Sequence, residues 1–111
     1  MSIINQTRNT TLAVDVITAN TALKRMKGLL GRSRLNEGQA LILNPSNSIH
    51  SFFMRFTIDA LFLDKEKKVV AAVTLPPWRL TRIYFNAVQV IELPVGTIKT
   101  THTQNGDIIQ T

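Results

Sequence analysis

Residues 58–75 read IDALFLDKEKKVVAAVTL, two apolar runs on either side of a charged tetrad. IDALFLD and VVAAVTL each have the length and composition of a buried strand, whereas Lys65–Lys68 is too polar to bury. The stretch therefore predicts a β-hairpin in which VVAAVTL returns antiparallel to IDALFLD across a charged loop. Upstream, SIHSFFM (48–54) reads as a further strand, and ALILN (40–44) as another that ends where Asn44-Pro45 closes the run. TLAVDVI (11–17) predicts the first strand, with Leu12, Val14 and Val16 on one face. Downstream, Pro76-Pro77 break the pattern and open a loop that holds Trp78, Arg79 and Arg82. AVQVIEL (87–93) is again strand-like and is ended by Pro94 and Gly96, and NGD (105–107) predicts a turn before a last short strand.

A helical pattern occurs once. Ala22, Leu23, Met26, Leu29 and Leu30 repeat at helical spacing over about residues 20–30, Asn20 or Thr21 can cap the start, and Gly28 or Gly31 can end it. Lys24, Arg25 and Lys27 lie off that apolar stripe. These elements predict an α+β, predominantly β fold: an antiparallel, barrel-like sheet with one short helix packed against it. The expected organisation is a single domain, 1–111, with residues 1–10 a flexible or loosely attached N-terminal segment.

Composition narrows the function classes. The chain has 111 residues, 44% of them hydrophobic and 18% charged, which suits a globular domain and excludes wholesale disorder. It has no cysteine, so disulfides, thiol catalysis and cysteine-ligated metals are excluded. MSIINQTRNTTLAVDV lacks the basic-then-apolar pattern of a signal peptide, and no stretch approaches the ~20 apolar residues of a membrane helix. The expected compartment is the cytoplasm, with no membrane association. A net charge of +6 suits an anionic partner. The basic residues are dispersed, however. The densest group is Lys24, Arg25, Lys27, Arg32 and Arg34, no five like charges run together, and aromatics are few. That pattern predicts a solvated basic face and not a nucleic-acid interface.

The candidate site centres on IHSFFMR (49–55). A strand there would place His50, Phe52 and Met54 on one face, turned inward, and Ile49, Ser51, Phe53 and Arg55 on the other. His50 and Ser51 then point oppositely, which excludes a serine–histidine dyad. The bend RFTID brings Arg55 and Asp59 close in sequence, either as a local ion pair or with Arg55 turned into a cleft and oriented by Asp59 to meet an anion. Glu92, on the face of Val88 and Val90, needs a cationic or hydrogen-bonding partner if buried, and an arginine or His50 would serve. Trp78 and Arg79 either roof such a cleft or plug one end of the sheet. Two histidines without carboxylate spacing form no metal motif, and GLLGR lies at the end of the predicted helix, where a phosphate-binding loop would have to precede one.

Three blocks of the chain resemble the domain of unknown function 192 family of bacteria and archaea. RMKGLLGRSRL (25–35) is similar to its Arg-x-x-Gly-Leu-Met-x-Arg-x-x-Leu block, with Leu30 in place of methionine. IHSFFMRFTIDALFLD (49–64) resembles its His-Thr-Phe-x-Met-Arg-Phe-Pro-Ile-Asp block and the apolar run after it, with Ser51 for threonine and Thr57 for proline. AVQVIELPVG (87–96) resembles Val-Leu-Glu-Leu-Pro-Ala-Gly, and Gly106-Asp107 matches a Gly-Asp near the end. By position, Arg25, Gly28, Arg32, His50, Met54, Arg55, Asp59, Asp64 and Glu92 fall on recurring residues of these blocks. The resemblance implies a mostly β domain with one helix and transfers no biochemical activity.

The function expected is a noncatalytic binding module, with Arg32, His50, Met54, Arg55, Asp59, Trp78, Arg79 and Glu92 lining a cleft for a small anionic or polar ligand or a peptide. No cofactor and no metal are expected. A competing reading is a small enzyme in which His50 is general acid/base, oriented by Asp59 or Glu92, with Arg55 stabilising negative charge. A third is nucleic-acid binding through the 24–34 segment.

Overall fold

The computed structural model describes residues 2–19, 35–52 and 54–111. Among them are eight strands: β1 (Ile3–Asn5), β2 (Thr10–Ala13), β3 (Asp15–Ala19), β4 (Gln39–Leu43), β5 (Ile58–Leu63), β6 (Val69–Leu75), β7 (Gln89–Pro94) and β8 (Ile109–Gln110). One short helix, α1 (Thr97–Thr101), lies between β7 and β8. The helix expected over residues 20–30, with its basic residues and Arg32, lies outside the described residues.

The hairpin forms as its sequence requires. β5 pairs antiparallel with β6 from Ile58–Leu75 to Leu63–Val69, with a register shift between Phe62 and Leu63. β5 is also paired with β7 along its whole length, so it is central and all six of its residues are buried. The strand order is β3-β4-β7-β5-β6. All these pairings are antiparallel except β3 with β4.

Both faces of this sheet are covered, which is why its central strands are almost continuously apolar. Ala60, Phe62, Leu41, Leu43 and Val90 face one hydrophobic layer, which also holds Ile49, Met54 and Ala87. Leu61, Leu63, Ala40, Ile42, Ile91 and Leu93 face the other, where Ile3, Leu12 and Ile109 pack against them. Those last three belong to a second sheet, ordered β2-β1-β8. Fully burying a side chain such as Phe62 or Leu61 contributes about 1.5–3 kcal/mol, so the two layers supply most of the driving force.

Four expectations are corrected. The sheets are open, with β3 and β6 at the edges of one and β2 and β8 at those of the other, so no barrel closes among the described residues. TLAVDVI is two strands in different sheets. Val14 N and Asp15 N both bond the carbonyl of Gly38, at 2.8 and 2.9 Å, and the chain bends there, leaving Val14 64% exposed. The first ten residues supply β1, the middle strand of the smaller sheet, whose Ile3 and Asn5 are fully buried.

In SIHSFFM the described residues, Ser48–Phe52 and Met54, join neither sheet, and Phe53 lies outside the described residues. The segment's backbone, with that of Asn47 just before it, bonds instead to the loop after Pro76-Pro77: Ser51 N to Arg79 O at 2.8 Å, Thr81 N to Ile49 O at 2.9 Å, and Tyr84 N to Asn47 O at 2.9 Å. Met54 N then bonds back to Ser51 O at 3.1 Å, a turn that ends the strand-like alternation. Ile49, Ser51 and Met54 are consequently buried, His50 is half-buried and Phe52 is exposed. The expectation that His50, Phe52 and Met54 share an inward face holds for Met54 alone.

Candidate functional site

Ser51 organises the site. Its hydroxyl donates to the carbonyl of Pro76 and accepts from Arg79 N at 2.9 Å, while its carbonyl accepts from Trp78 N at 2.9 Å. Ser51 is fully buried, so these bonds satisfy groups that would otherwise carry a desolvation penalty. They also hold Trp78 at a φ of 63°, a left-handed conformation that costs a bulky residue about 1–2 kcal/mol. The outcome is a fixed ribbon of two segments, residues 46–52 with Met54 on one side and 76–88 on the other.

On this ribbon His50 and Leu80 are bridge partners, and the His50 ring stacks on Phe52 with centroids 4.9 Å apart and planes at 24°. Phe52 in turn lies 6.3 Å from Trp78. Phe52 N donates to His50 Nδ1 at 3.3 Å, which makes Nδ1 the acceptor nitrogen of the ring. His50, Phe52 and Trp78 thus form a ladder of rings, with Phe52 37% and Trp78 55% exposed. Such spacing suits planar or apolar groups laid against it.

Arg55 and Arg79 are exposed, one beyond the Met54 turn and one beside Trp78. Farther along, the Arg82 guanidinium sits 5.2 Å from the centre of the Tyr84 ring, and that ring packs on buried Phe62 at 4.4 Å. The ion pair found among the described residues is Arg8–Asp107, in the turns beside the smaller sheet. The three arginines of this region therefore keep their charge available to an incoming anion.

Asp59 and Glu92 separate. Ala60 and Glu92 are cross-strand partners and share the face of the Met54 layer, so Asp59, one residue earlier on β5, points to the opposite face. There its Oδ1 accepts from Thr74 Oγ1 at 2.8 Å, and its Oδ2 from Gly96 N and Ile98 N, both at 3.0 Å. Asp59 fastens the turn from β7 into α1. It neither pairs with Arg55 nor orients His50. Glu92 is fully buried in mid-sheet between Leu41 and Ala60. No set of three histidine, aspartate or glutamate residues placed to hold a metal occurs among the described residues.

Of the expected site, His50, Trp78 and Arg79 come together on the ribbon, Met54 lies buried beneath it, Arg55 follows on the same segment, and Arg32 is outside the described residues. Phe52, foreseen as turned inward, is instead part of the exposed ladder. The clamping role of Ser51 and the exposed Leu80, Ile83 and Phe85 lie outside the expected site. A signal for them exists in WRLTRIYF (78–85), where apolar residues alternate with arginines in a proline-opened loop that has no sheet to bury them.

Residues 3–111 match the DUF192 family, described as "Uncharacterized ACR". A UPF0127 protein of Thermococcus gammatolerans is 38% identical over 111 residues, covering 96% of this chain and 72% of its own. Among solved structures, a Novosphingobium aromaticivorans protein of unknown function superposes with a TM-score of 0.80 at 16% identity, covering 99% of this chain and 82% of that one. A Sinorhizobium meliloti protein, described as a proposed transcription regulator, superposes with a TM-score of 0.81 at 18% identity over 98% of this chain and 89% of that one. At those identities the likeness is one of fold. No helix among the described residues is long and apolar enough to cross a membrane. The full-length match and the relatives together make this chain a member of the DUF192 family.

Proposed function

We propose that the protein is a noncatalytic recognition module whose ladder of His50, Phe52 and Trp78, with Leu80 beside it, receives an apolar or aromatic side chain of an acidic peptide. Arg79 and Arg55 flank the ladder and meet the peptide's carboxylates. One observation carries this reading. Of the nine large hydrophobic residues exposed on the described surface, six (Phe52, Trp78, Leu80, Ile83, Phe85 and Val88) belong to the ribbon, and Val14, Ile17 and Val95 are scattered elsewhere. Left exposed, the six side chains of the ribbon forgo the favourable transfer of apolar surface out of water, so their concentration on one loop pair supports a surface kept for a partner. The arginines between them favour an anionic one.

The chain contains a single tryptophan, so its fluorescence reports on this ladder alone. Titration with acetylated acidic peptides carrying one leucine or phenylalanine should shift Trp78 emission to the blue and saturate. Phe52→Ala should weaken binding about tenfold, as loss of an aromatic anchor does. Its unfolding free energy should stay within about 0.5 kcal/mol of the parent, as for surface changes. If no peptide moves the emission, and native mass spectrometry of freshly purified protein finds no retained ligand, the ladder is not a binding site.

A further inference from the structure

β6 is an edge strand, seven residues long, and natural edges of that length are blunted by charge, proline or a covering segment. Its first turn follows that rule. Val69 N bonds Asp107 O at 2.9 Å and Val69 O accepts from Gly106 N at 2.8 Å, so the end segment of the chain closes that tip. From Val70 onward the rule lapses. The sequence VAAVTL has neither charge nor proline, and among the described residues its backbone bonds only to β5. Beside this edge, unpaired from Val70 onward among the described residues, runs an open groove of about 600 Å³, floored by Val70–Val73 and walled by Arg82, Tyr84, Phe85, Asn86 and Asn105. That volume lies within the ~300–1,000 Å³ of ordinary ligand sites.

We infer that the edge from Val70 to Thr74 is a strand-addition site that binds an extended acidic peptide as a further strand of the five-stranded sheet. Main-chain bonds to β6 give register, and alternate side chains enter the groove. Tyr84 is held against Phe62, and Arg82 lies over Tyr84, so the wall is preformed before a ligand arrives. Phe85, 84% exposed, stands at the rim as an anchor for an apolar side chain. Charge selects the occupant. A second copy added across this edge would bring its own Arg82 and its own net +6 to the junction, whereas a peptide carrying carboxylates is drawn to it. The groove does not include His50, Phe52, Trp78 or Leu80, but Phe85 belongs to the same exposed ribbon, so Phe52→Ala and Phe85→Ala are the variants that tell the two proposals apart.

The probe is an acetylated, amidated octapeptide of alternating valine and glutamate, compared with its valine–lysine counterpart and with a version methylated at alternate backbone nitrogens. Strand addition requires that the glutamate peptide bind, that the lysine peptide not bind, and that backbone methylation abolish binding. Hydrogen exchange should slow at amides of Val70–Thr74 in the complex. Phe85→Ala should weaken binding about tenfold. Arg82→Gln should weaken it about two- to fivefold, as loss of one exposed charge pair does. Phe52→Ala, in the ladder, should leave it unchanged. Binding indifferent to methylation, or without protection of Val70–Thr74, overturns the proposal. So does protection of the same amides without peptide in a sample whose sedimentation gives a dimer, because the edge then belongs to a second copy.

Discussion

Asp107 Oδ2 collects three donors, two of them from the far end of the chain: Asn5 Nδ2 at 2.9 Å, Arg8 Nε at 3.2 Å and the nearby Gln104 N at 3.0 Å. Burial pushes this carboxyl upward, but the Asn5 amide, the Gln104 N–H and the Arg8 guanidinium outweigh it and hold the group below its usual value of 3.8. A carboxyl that ionises more readily in the folded state binds fewer protons there than in the unfolded chain at acid pH. Its stabilising effect is therefore complete above about pH 4 and is lost as pH falls through the folded value. Unfolding free energy measured from pH 7 to pH 2 should decline steeply below about pH 4. Asp107→Asn should lower stability at neutrality by about 1–3 kcal/mol, from weakened charged hydrogen bonds, and flatten the acid limb. Parallel acid limbs in the two proteins would assign the pH dependence elsewhere. Nothing in the sequence announces this cluster, since Asn5 and Asp107 stand 102 residues apart. His50 shows the complementary case. Its separation from Ser51 needs only the adjacency of the two residues, while its stacking on Phe52 depends on a turn that the apolar pattern concealed.

Strands whose partners are sheet neighbours were legible. The runs 40–44, 58–64, 69–75 and 87–93 correspond to β4, β5, β6 and β7 because burial on two faces demands uninterrupted apolar residues. Segment 48–54 has similar residues but spends its backbone bonds on the 76–88 loop, and period alone does not distinguish the two. The division of 11–17 was hidden for a related reason: its cause is a carbonyl at Gly38, far along the chain. Gly38 has a φ of 84°, and a Cβ there would meet Val14 Cγ2 at 3.5 Å, an ordinary contact. The cost of Gly38→Ala is thus one of backbone conformation and not of space, about 1 kcal/mol. Urea denaturation should show the unfolding free energy lowered by that amount through a lower midpoint, with an unchanged slope. A loss of several kcal/mol would mean that the bend between β2 and β3 cannot absorb even a methyl group.

The two sheets meet only because the ends of the chain return to each other. β1 pairs with β2 on one side and with β8 on the other, through Ile4–Gln110 and Asn5–Ile109, and Ile3, Leu12 and Ile109 then cover one face of the larger sheet. The first residues are consequently as much a part of the core as the central hairpin. Polar composition suggested a loose segment because NQTRN carries no apolar pattern, yet Asn5 is buried through bonds to Thr103 and Asp107. Ile3→Ala should cost about 2–5 kcal/mol, the range for a large aliphatic residue emptied from a packed core. A chain beginning at Asn9 would lose β1, Arg8 and the cover over Leu61 and Ile91 together. With total stabilities near 5–15 kcal/mol, that loss should remove the cooperative unfolding transition. Thermal melts followed by circular dichroism provide the measurement. A truncated chain that still melts sharply, within about 5 °C of the parent, would show that the smaller sheet adds little and that the first ten residues are loosely attached after all. If instead the truncated chain is unfolded while Phe52→Ala and Phe85→Ala melt like the parent, the division of labour is clear: the chain ends hold the molecule together, and the apolar ribbon is dispensable for folding.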